Sequence, residues 1–234
     1  MFERLRKVLT ARGEAPPLAV GPATPLQRWA RASGFEVVHQ GRTPHFSLTG
    51  QLAGKPFRMD RTLPSRAYIV GSELRARVEL DIAPEVSVMV ISRSLRDALE
   101  HEAYADYTGR VRTTLDANMP EEVRWLAMFD EVGWERGAVA AFWPRYAIVA
   151  DARAHAQAWV KPELMQALLG WPVAADDVPP LLLQLQRGKL YLRMAFVPDD
   201  LPTLQHVLQV LAVASATALA GCARPTGPAP LRSA

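Results

Sequence analysis

The strict alternation of apolar and charged residues from position 74 to position 81 constrains this chain more than any other feature. Successive side chains of a β-strand point to opposite faces of a sheet, so the pattern predicts a strand with one face in a core and the other in water. Such half-buried strands are typical of antiparallel sheets. The inward positions are Leu74, Ala76, Val78 and Leu80, and the outward positions are Arg75, Arg77, Glu79 and Asp81.

Shorter alternating segments predict further strands, and capping residues predict the helices between them. A helix is expected to begin after Thr24 and to end at Gly34, and another to begin at Asp200 and Pro202. Residues 145–160 also alternate, and although their alanines favour a helix, we interpret the segment as a strand. The fold class that follows is α+β, with antiparallel sheets each covered on one face by helices. The remaining predicted strands are 35–39, 45–52, 57–59, 68–70, 86–91, 107–115 and the hairpin 181–196, and the remaining helices are 94–102, 120–129 and 162–169.

Two predicted hairpins resemble each other and indicate an internal repeat. Residues 54–59 and 188–194 each place Gly-Lys at a tip and end a strand with Arg-Met. A duplication would give two strand-rich halves related by a two-fold axis, although chance similarity between amphipathic hairpins explains the match equally well. The expected organisation is an amphipathic helix and linker at 1–24, a first α+β half at 25–137, a second at 138–223 and a flexible tail at 224–234.

Composition places the chain among ordinary globular proteins. Of its 234 residues, 49% are hydrophobic and 22% are charged, which excludes disordered and low-complexity classes. The single cysteine, Cys222, excludes an intrachain disulfide and a zinc site built from several cysteines. The formal net charge is +3, but basic and acidic residues are intermixed, so a nucleic-acid partner is not expected. We expect a cytoplasmic protein, and the composition is typical of a high-GC bacterial source.

The sequence contains no motif that is specific to a reaction, so neither a cofactor nor a metal is expected. Neither Gly-Lys pair is followed by the Ser or Thr that a P-loop requires. The densest group of metal donors is His101, Glu102 and Asp106, which lacks a second imidazole on the same helical face. A hydrolase that uses carboxylates or histidine stays an alternative, because acids far apart in sequence can meet in three dimensions.

An uncharged run from residue 201 to residue 223 is long enough to cross a bilayer. We interpret it as a buried helix, because Asp200 and Pro202 form a helix start of the soluble type and polar residues dilute its first half. Membrane association through residues 201–223, or through the amphipathic residues 1–13, is the alternative. The small residues Ala212, Ala216 and Ala220 would also allow a homodimer contact along this helix.

Binding is the function class that remains, and its candidate residues are arginines, a histidine and tryptophans. The polar faces of the two predicted strands at 74–80 and 153–157 form one candidate surface. Pairing of their arginines with Glu73, Glu79 and Asp151 across strands is the alternative. Loop tryptophans form a second candidate surface, since such residues anchor many interfaces, although they also cap cores. We therefore predict a non-catalytic binding or adaptor protein that engages another protein. The candidate binding residues are Arg75, Arg77, Trp134, Trp143, Arg153, His155 and Trp159.

Overall fold

The computed structural model describes residues 23–39, 43, 45–109, 120–134, 139–173, 179–197 and 200–224. Within these residues the chain forms one eight-stranded antiparallel sheet and six α-helices, so the predicted α+β class is confirmed. The strands are β1 (Glu36–His39), β2 (Phe46–Leu52), β3 (Lys55–Thr62), β4 (Ser72–Glu79), β5 (Val88–Ser92), β6 (Tyr146–Ala150), β7 (Leu181–Gln186) and β8 (Lys189–Phe196). Across the sheet their order is β1-β2-β3-β4-β8-β7-β5-β6.

The helices begin at residues that the sequence marks. Thr24 and Gln27 form a capping box before α1 (Pro25–Ala32), because the Thr24 hydroxyl accepts the Gln27 N–H at 3.2 Å and the Gln27 side chain accepts the Thr24 N–H at 2.9 Å. The longest helix, α6 (Leu201–Gly221), begins where Asp200 Oδ1 accepts the N–H of Thr203 at 3.0 Å. The others are α2 (Arg93–Gly109), α3 (Glu121–Met128), α4 (Arg153–Trp159) and α5 (Pro162–Leu169), and a 3-10 turn (Ala140–Phe142) precedes β6.

The sheet has one covered face and one half-covered face. On the covered face, α1, α4, α5 and α6 pack against the inward side chains and form the larger core. On the other face, α2 and α3 place Leu95 and Trp125 over Met89 and Leu182, and they cover only the end formed by β5, β6 and β7. Every residue of β5 and β6 is therefore buried, whereas Arg58 of β3 and Arg75 and Arg77 of β4 face outward and are exposed.

Helix α6 packs as a core helix. It is long and apolar enough to cross a membrane, with a mean hydropathy of 1.4, but 44% of that stretch is buried inside the protein. Val207 and Ala214 are fully buried. Trp159 Nε1 donates to the Ala214 carbonyl at 3.0 Å, and His206 Nε2 lies 2.9 Å from the Ala167 carbonyl. These contacts fix α6 against α4 and α5 and support the core interpretation, whereas the amphipathic residues 1–13 lie outside the described residues.

The prediction of a strand over residues 145–160 is confirmed for β6 (Tyr146–Ala150) and wrong from Arg153 to Trp159, which form helix α4. Strand β6 ends at Ala150, and the Asp151 carboxylate then accepts the N–H of Ala152 at 2.9 Å as the helix begins. Alanine at every second position fits either period, but helical spacing places Ala156 and Trp159 on one buried side. The helix propensity of alanine therefore prevails over the alternation.

Two shorter strand predictions are also wrong. Residues 68–70 follow a turn in which the Ile69 N–H bonds to the Arg66 carbonyl at 3.1 Å, and Val70 is 85% exposed. Residues 107–109, the described part of the predicted strand 107–115, belong to α2. Both Gly-Lys hairpins form, as β2-β3 and β7-β8. The internal repeat and the four-part division of the chain stay predictions.

Candidate functional site

The outward side of β3, β4 and β8, which we call the open face, carries rows of charged residues in register. Arg58 is opposite Arg77, which is opposite Tyr191 on β8. In the next row, Asp60 is opposite Arg75, which is opposite Arg193. The open face holds five basic side chains and three carboxylates, namely Arg58, Arg75, Arg77, Lys189 and Arg193 with Asp60, Glu73 and Glu79.

Most arginines of the open face pair along their own strand rather than across strands. Arg58 Nε lies 2.9 Å from Asp60, and Arg77 Nε lies 2.9 Å from Glu79. Arg75 is the most loosely held, because its Nε is 3.9 Å from Glu73 Oε1 and its side chain is 44% exposed. Such exposed pairs contribute little to stability. Arg75 and Arg77 are thus available on the surface where the sequence predicts them.

A buried network of arginines and glutamates closes one end of the open face. Arg193 Nε lies 2.9 Å from Glu73, which is fully buried, and Arg193 Nη1 also pairs with Glu122 of α3. Arg66 Nε lies 3.0 Å from Glu122, and the Tyr68 hydroxyl donates to it at 3.1 Å. The network therefore ties α3 and the turn after β3 to β4 and β8.

The charges of this network hold Glu122 ionised. Burial raises the pKa of Glu122, but a backbone hydrogen bond and the cations Arg193 and Arg66 outweigh that effect, so its pKa lies below the ordinary glutamate value. Burial and the neighbouring Glu122 charge raise the pKa of the Tyr68 phenol. Tyr68 consequently stays protonated and acts as a hydrogen-bond donor.

A cavity of about 300 Å³, here the α3 cleft, opens where the open face meets α3. One wall carries Arg75 and Arg193, the hairpin tip adds Arg187, and the first turn of α3 adds Glu121 and Glu122. Gln184 of β7 also lines the cleft and is 7% exposed. Its side-chain Nε2 is buried and has no hydrogen-bond partner within the described part of the chain. Gln184 thus carries an unpaired, buried neutral donor and lines the cleft beside arginines.

Three of the residues that the sequence singled out for binding meet elsewhere, in what we call the tryptophan groove. Trp134, Trp143 and Arg153 line it with Arg93 and Glu131, and its volume is about 680 Å³. Trp134 and Trp143 pack edge to face with ring centroids 5.1 Å apart, and Trp143 is 8% exposed. Trp134 is only half-buried. Trp143 therefore serves the core, whereas Trp134 and Arg153 remain accessible.

The other two predicted binding residues lie away from the open face. Trp159 is fully buried in the covered face, which corrects its assignment to a binding surface. Because 153–159 is a helix on the covered face, Arg153 and His155 do not extend the surface of Arg75 and Arg77. His155 Nδ1 lies 3.0 Å from the Asp151 carboxylate, and this pair is at the start of α4. Of the predicted residues, Arg75 and Arg77 therefore lie together on the open face, and Trp134 and Trp143 lie together in the tryptophan groove.

No metal centre is evident within the described ranges. No group of three or more His, Cys, Asp or Glu side chains converges there. His101 and Glu102 are exposed on α2, and the side chain of Asp106 lies outside the described residues. The Asp151 and His155 pair has Ser87 nearby, but Ser87 approaches Asp151 through its backbone N–H at 3.4 Å, and its hydroxyl donates to the Glu85 carbonyl. The hydrolase alternative stays a prediction.

Comparison with known proteins yields one distant structural similarity. No protein-family model matches the chain, and no curated protein matches it. The crystal structure of the mycobacterial trehalose monomycolate transport factor A, TtfA, has a TM-score of 0.44 and 10% sequence identity, over 86% of this chain and 95% of that chain. At this level of similarity, function has to be inferred from the chain's own geometry.

Proposed function

We propose that this chain is a non-catalytic binding protein whose open face docks an acidic segment of another protein, with the α3 cleft receiving one carboxylate of that segment. The proposal rests on Gln184, which lines the cleft with Arg75, Arg187 and Arg193 and whose buried Nε2 group has no hydrogen-bond partner among the described residues. An unsatisfied buried donor costs about 1–3 kcal/mol. A partner's oxygen atom would recover that cost on binding.

The volume of the α3 cleft favours a protein side chain over a larger ligand. Clefts that bury a small-molecule ligand run from about 300 to 1,000 Å³, and this cleft is at the lower limit at about 300 Å³. Arginines present planar donors that match a carboxylate. Arg75 and Arg187 have no close ion pair among the described residues apart from the 3.9 Å contact of Arg75 with Glu73. An aspartate or glutamate side chain suits this cleft.

The open face around the cleft favours a protein surface over nucleic acid. Its acidic side chains alternate with the basic ones and pair with them, as Arg58 does with Asp60 and Arg77 with Glu79. A phosphate backbone requires a track of cations without carboxylates. A protein can complement both signs of charge, and the excess of basic groups favours an acidic segment.

Site-specific photo-crosslinking in the native cell tests the proposal. A photoreactive benzoylphenylalanine replaces Arg77, whose side chain is 52% exposed in the middle of the open face. The matched control places the same group at Arg28, an exposed arginine on α1. A third position, Trp134, reports on the tryptophan groove.

The expected result is one prominent crosslinked protein from position 77 that is not crosslinked from position 28. Substituting Arg75 and Arg187 with glutamate should abolish this crosslink, because both changes invert the charge at the cleft. A crosslinked protein that appears equally from position 28, or that persists after the substitutions, contradicts the proposal. A crosslink from position 134 alone would assign docking to the tryptophan groove instead.

A further inference from the structure

A third cavity, separate from the α3 cleft and the tryptophan groove, lies under the ends of β2, β3 and β8, where the first turns of α1 and α6 meet the sheet. Its volume is about 190 Å³. Its walls are mainly apolar, since Phe46, Phe196 and Leu204 are 3%, 5% and 2% exposed and belong to the main core. Leu26 and Leu201 complete the apolar lining.

Arg61 projects into this cavity from the covered face of β3. The other inward residues of the strand, Phe57 and Met59, are core residues, and Arg61 itself is 3% exposed. Its Nη2 donates to the Ser72 hydroxyl at 3.2 Å, and its guanidinium carbon lies 5.9 Å from the centre of the Phe196 ring. Its Nε has no hydrogen-bond partner, and no carboxylate of the described residues lies within ion-pair distance of it.

A buried cation without a counter-ion is costly, because burial removes the water that stabilised its charge. The other deeply placed arginine, Arg193, has two carboxylate partners, Glu73 and Glu122. Among the described residues Arg61 contacts a hydroxyl and an aromatic ring only, and its side chain helps to line the cavity. No carboxylate of the described residues therefore serves as a counter-ion for Arg61.

We propose that this Arg61 cavity binds a small monocarboxylate with an apolar chain or ring. The Arg61 guanidinium carries planar donors that match a carboxylate, and the apolar walls would bury the hydrocarbon part. An apolar cavity of about 150 Å³ accommodates benzene, so 190 Å³ suits a hydrocarbon of about six carbon atoms. This site is independent of the proposed docking function.

The lining also limits the charge of the ligand to one. Asp200 lies in the same cavity, where its Oδ1 caps α6 through the Thr203 N–H at 3.0 Å. A dianion such as a phosphate monoester or a dicarboxylate would place its second charge in an apolar cavity that already holds this carboxylate. A monoanion places its single charge at Arg61 and leaves no second charge in the apolar part of the cavity.

Titration of the full chain with hexanoate and with benzoate tests the site. Isothermal calorimetry and the NMR signal of the Arg61 Nε–H group both report binding, and hexanol serves as the uncharged probe. The expected result is a Kd of about 1 mM or tighter for at least one carboxylate, a shift of the Arg61 Nε–H signal, and binding of hexanol that is at least about tenfold weaker.

Two variants and one control locate the binding. Arg61→Met should weaken carboxylate binding at least about tenfold, whereas Arg58→Met, on the same strand but on the open face, should leave it unchanged. Leu26→Phe narrows the cavity without changing its charge and should also weaken binding, which keeps the test valid if Arg61→Met fails to fold. Absence of carboxylate binding by the unmodified chain at about 10 mM, or binding by Arg61→Met or Leu26→Phe that is as tight as that of the unmodified chain, overturns the proposal.

Discussion

Replacing Glu122 by glutamine should weaken the fold substantially at neutral pH, because this one carboxylate holds three donors. It accepts hydrogen bonds from Arg66 at 3.0 Å and from the Tyr68 hydroxyl at 3.1 Å, and it pairs with Arg193. Glu122 is 4% exposed. Removing one partner of a buried ion pair costs about 3–5 kcal/mol, and a hydrogen bond to a charged group is worth about 1.5–3 kcal/mol.

The free energy of unfolding lost in Glu122→Gln should be smaller than the cost of breaking a fully buried ion pair. The side chains of Arg66 and Arg193 are 24% and 19% exposed, so water can solvate them in part, and Arg193 keeps its contact with Glu73 at 2.9 Å. We expect the free energy of unfolding of Glu122→Gln to fall by about 2–3 kcal/mol at pH 7. Urea denaturation followed by circular dichroism measures this difference.

The pH dependence provides a second readout with a fixed sign. The pKa of Glu122 in the folded protein is below its ordinary value, so the unfolded chain binds the proton more tightly. Its stabilising contribution is present above the unfolded pKa of roughly 4.3 and is lost as the pH falls through the lower, folded value. The difference between the unmodified chain and Glu122→Gln should therefore shrink as the solution is acidified below that pH.

The neighbouring Glu121 provides the matched control. It is half-buried on the same helical turn and has no ion pair in the described structure. Glu121→Gln should change the free energy of unfolding by no more than about 0.5 kcal/mol. Equal effects of the two substitutions, or a Glu122→Gln effect that does not diminish in acid, would refute the account of the network.

Two further predictions concern backbone geometry and are read from the same urea titrations. Gly221→Ala should destabilise the chain by at least about 1–3 kcal/mol, because its Cβ would overlap the Ala158 carbonyl oxygen. Gly170→Ala should cost far less, because the nearest atoms to its Cβ would be 3.5 Å away. Similar costs for both substitutions would contradict the close approach of α6 to α4. Thr24→Ala should lower the free energy of unfolding by about 1 kcal/mol, because it removes the acceptor for the Gln27 N–H. An unchanged free energy of unfolding would show that the capping box contributes nothing.

Local chemistry made much of the fold predictable. The alternation at 74–80 identifies β4 and its exposed arginines, because a two-residue period has one structural meaning when large apolar and charged side chains alternate. At 153–157 the same period is misleading, since the apolar member is alanine, which is small enough for either structure and favours the helix. The caps at Thr24 and Asp200 mark α1 and α6 correctly, because capping depends on a few adjacent residues.

The candidate sites depend on contacts between distant parts of the chain, which no local pattern encodes. Strand β8 lies beside β4 and β7, and this order alone brings Arg193 to Glu73 and Gln184 to the α3 cleft. Likewise, Arg61 follows the core residues Phe57 and Met59 on the inward side of β3. It is buried because helices from other parts of the chain pack over that side of the strand. The burial of Trp143 and Trp159 could not be predicted for the same reason. Whether a tryptophan near a loop is buried or exposed depends on elements elsewhere in the sequence.

The affinity of the open face for the crosslinked partner tests the central claim most directly. With both proteins purified, the dissociation constant should rise at least about tenfold for Arg75→Glu combined with Arg187→Glu and should also rise with salt. Arg28→Glu combined with Arg31→Glu makes the same change in net charge on α1 and should leave the affinity within about a factor of two. Equal losses of affinity in the two double variants would contradict docking at the open face.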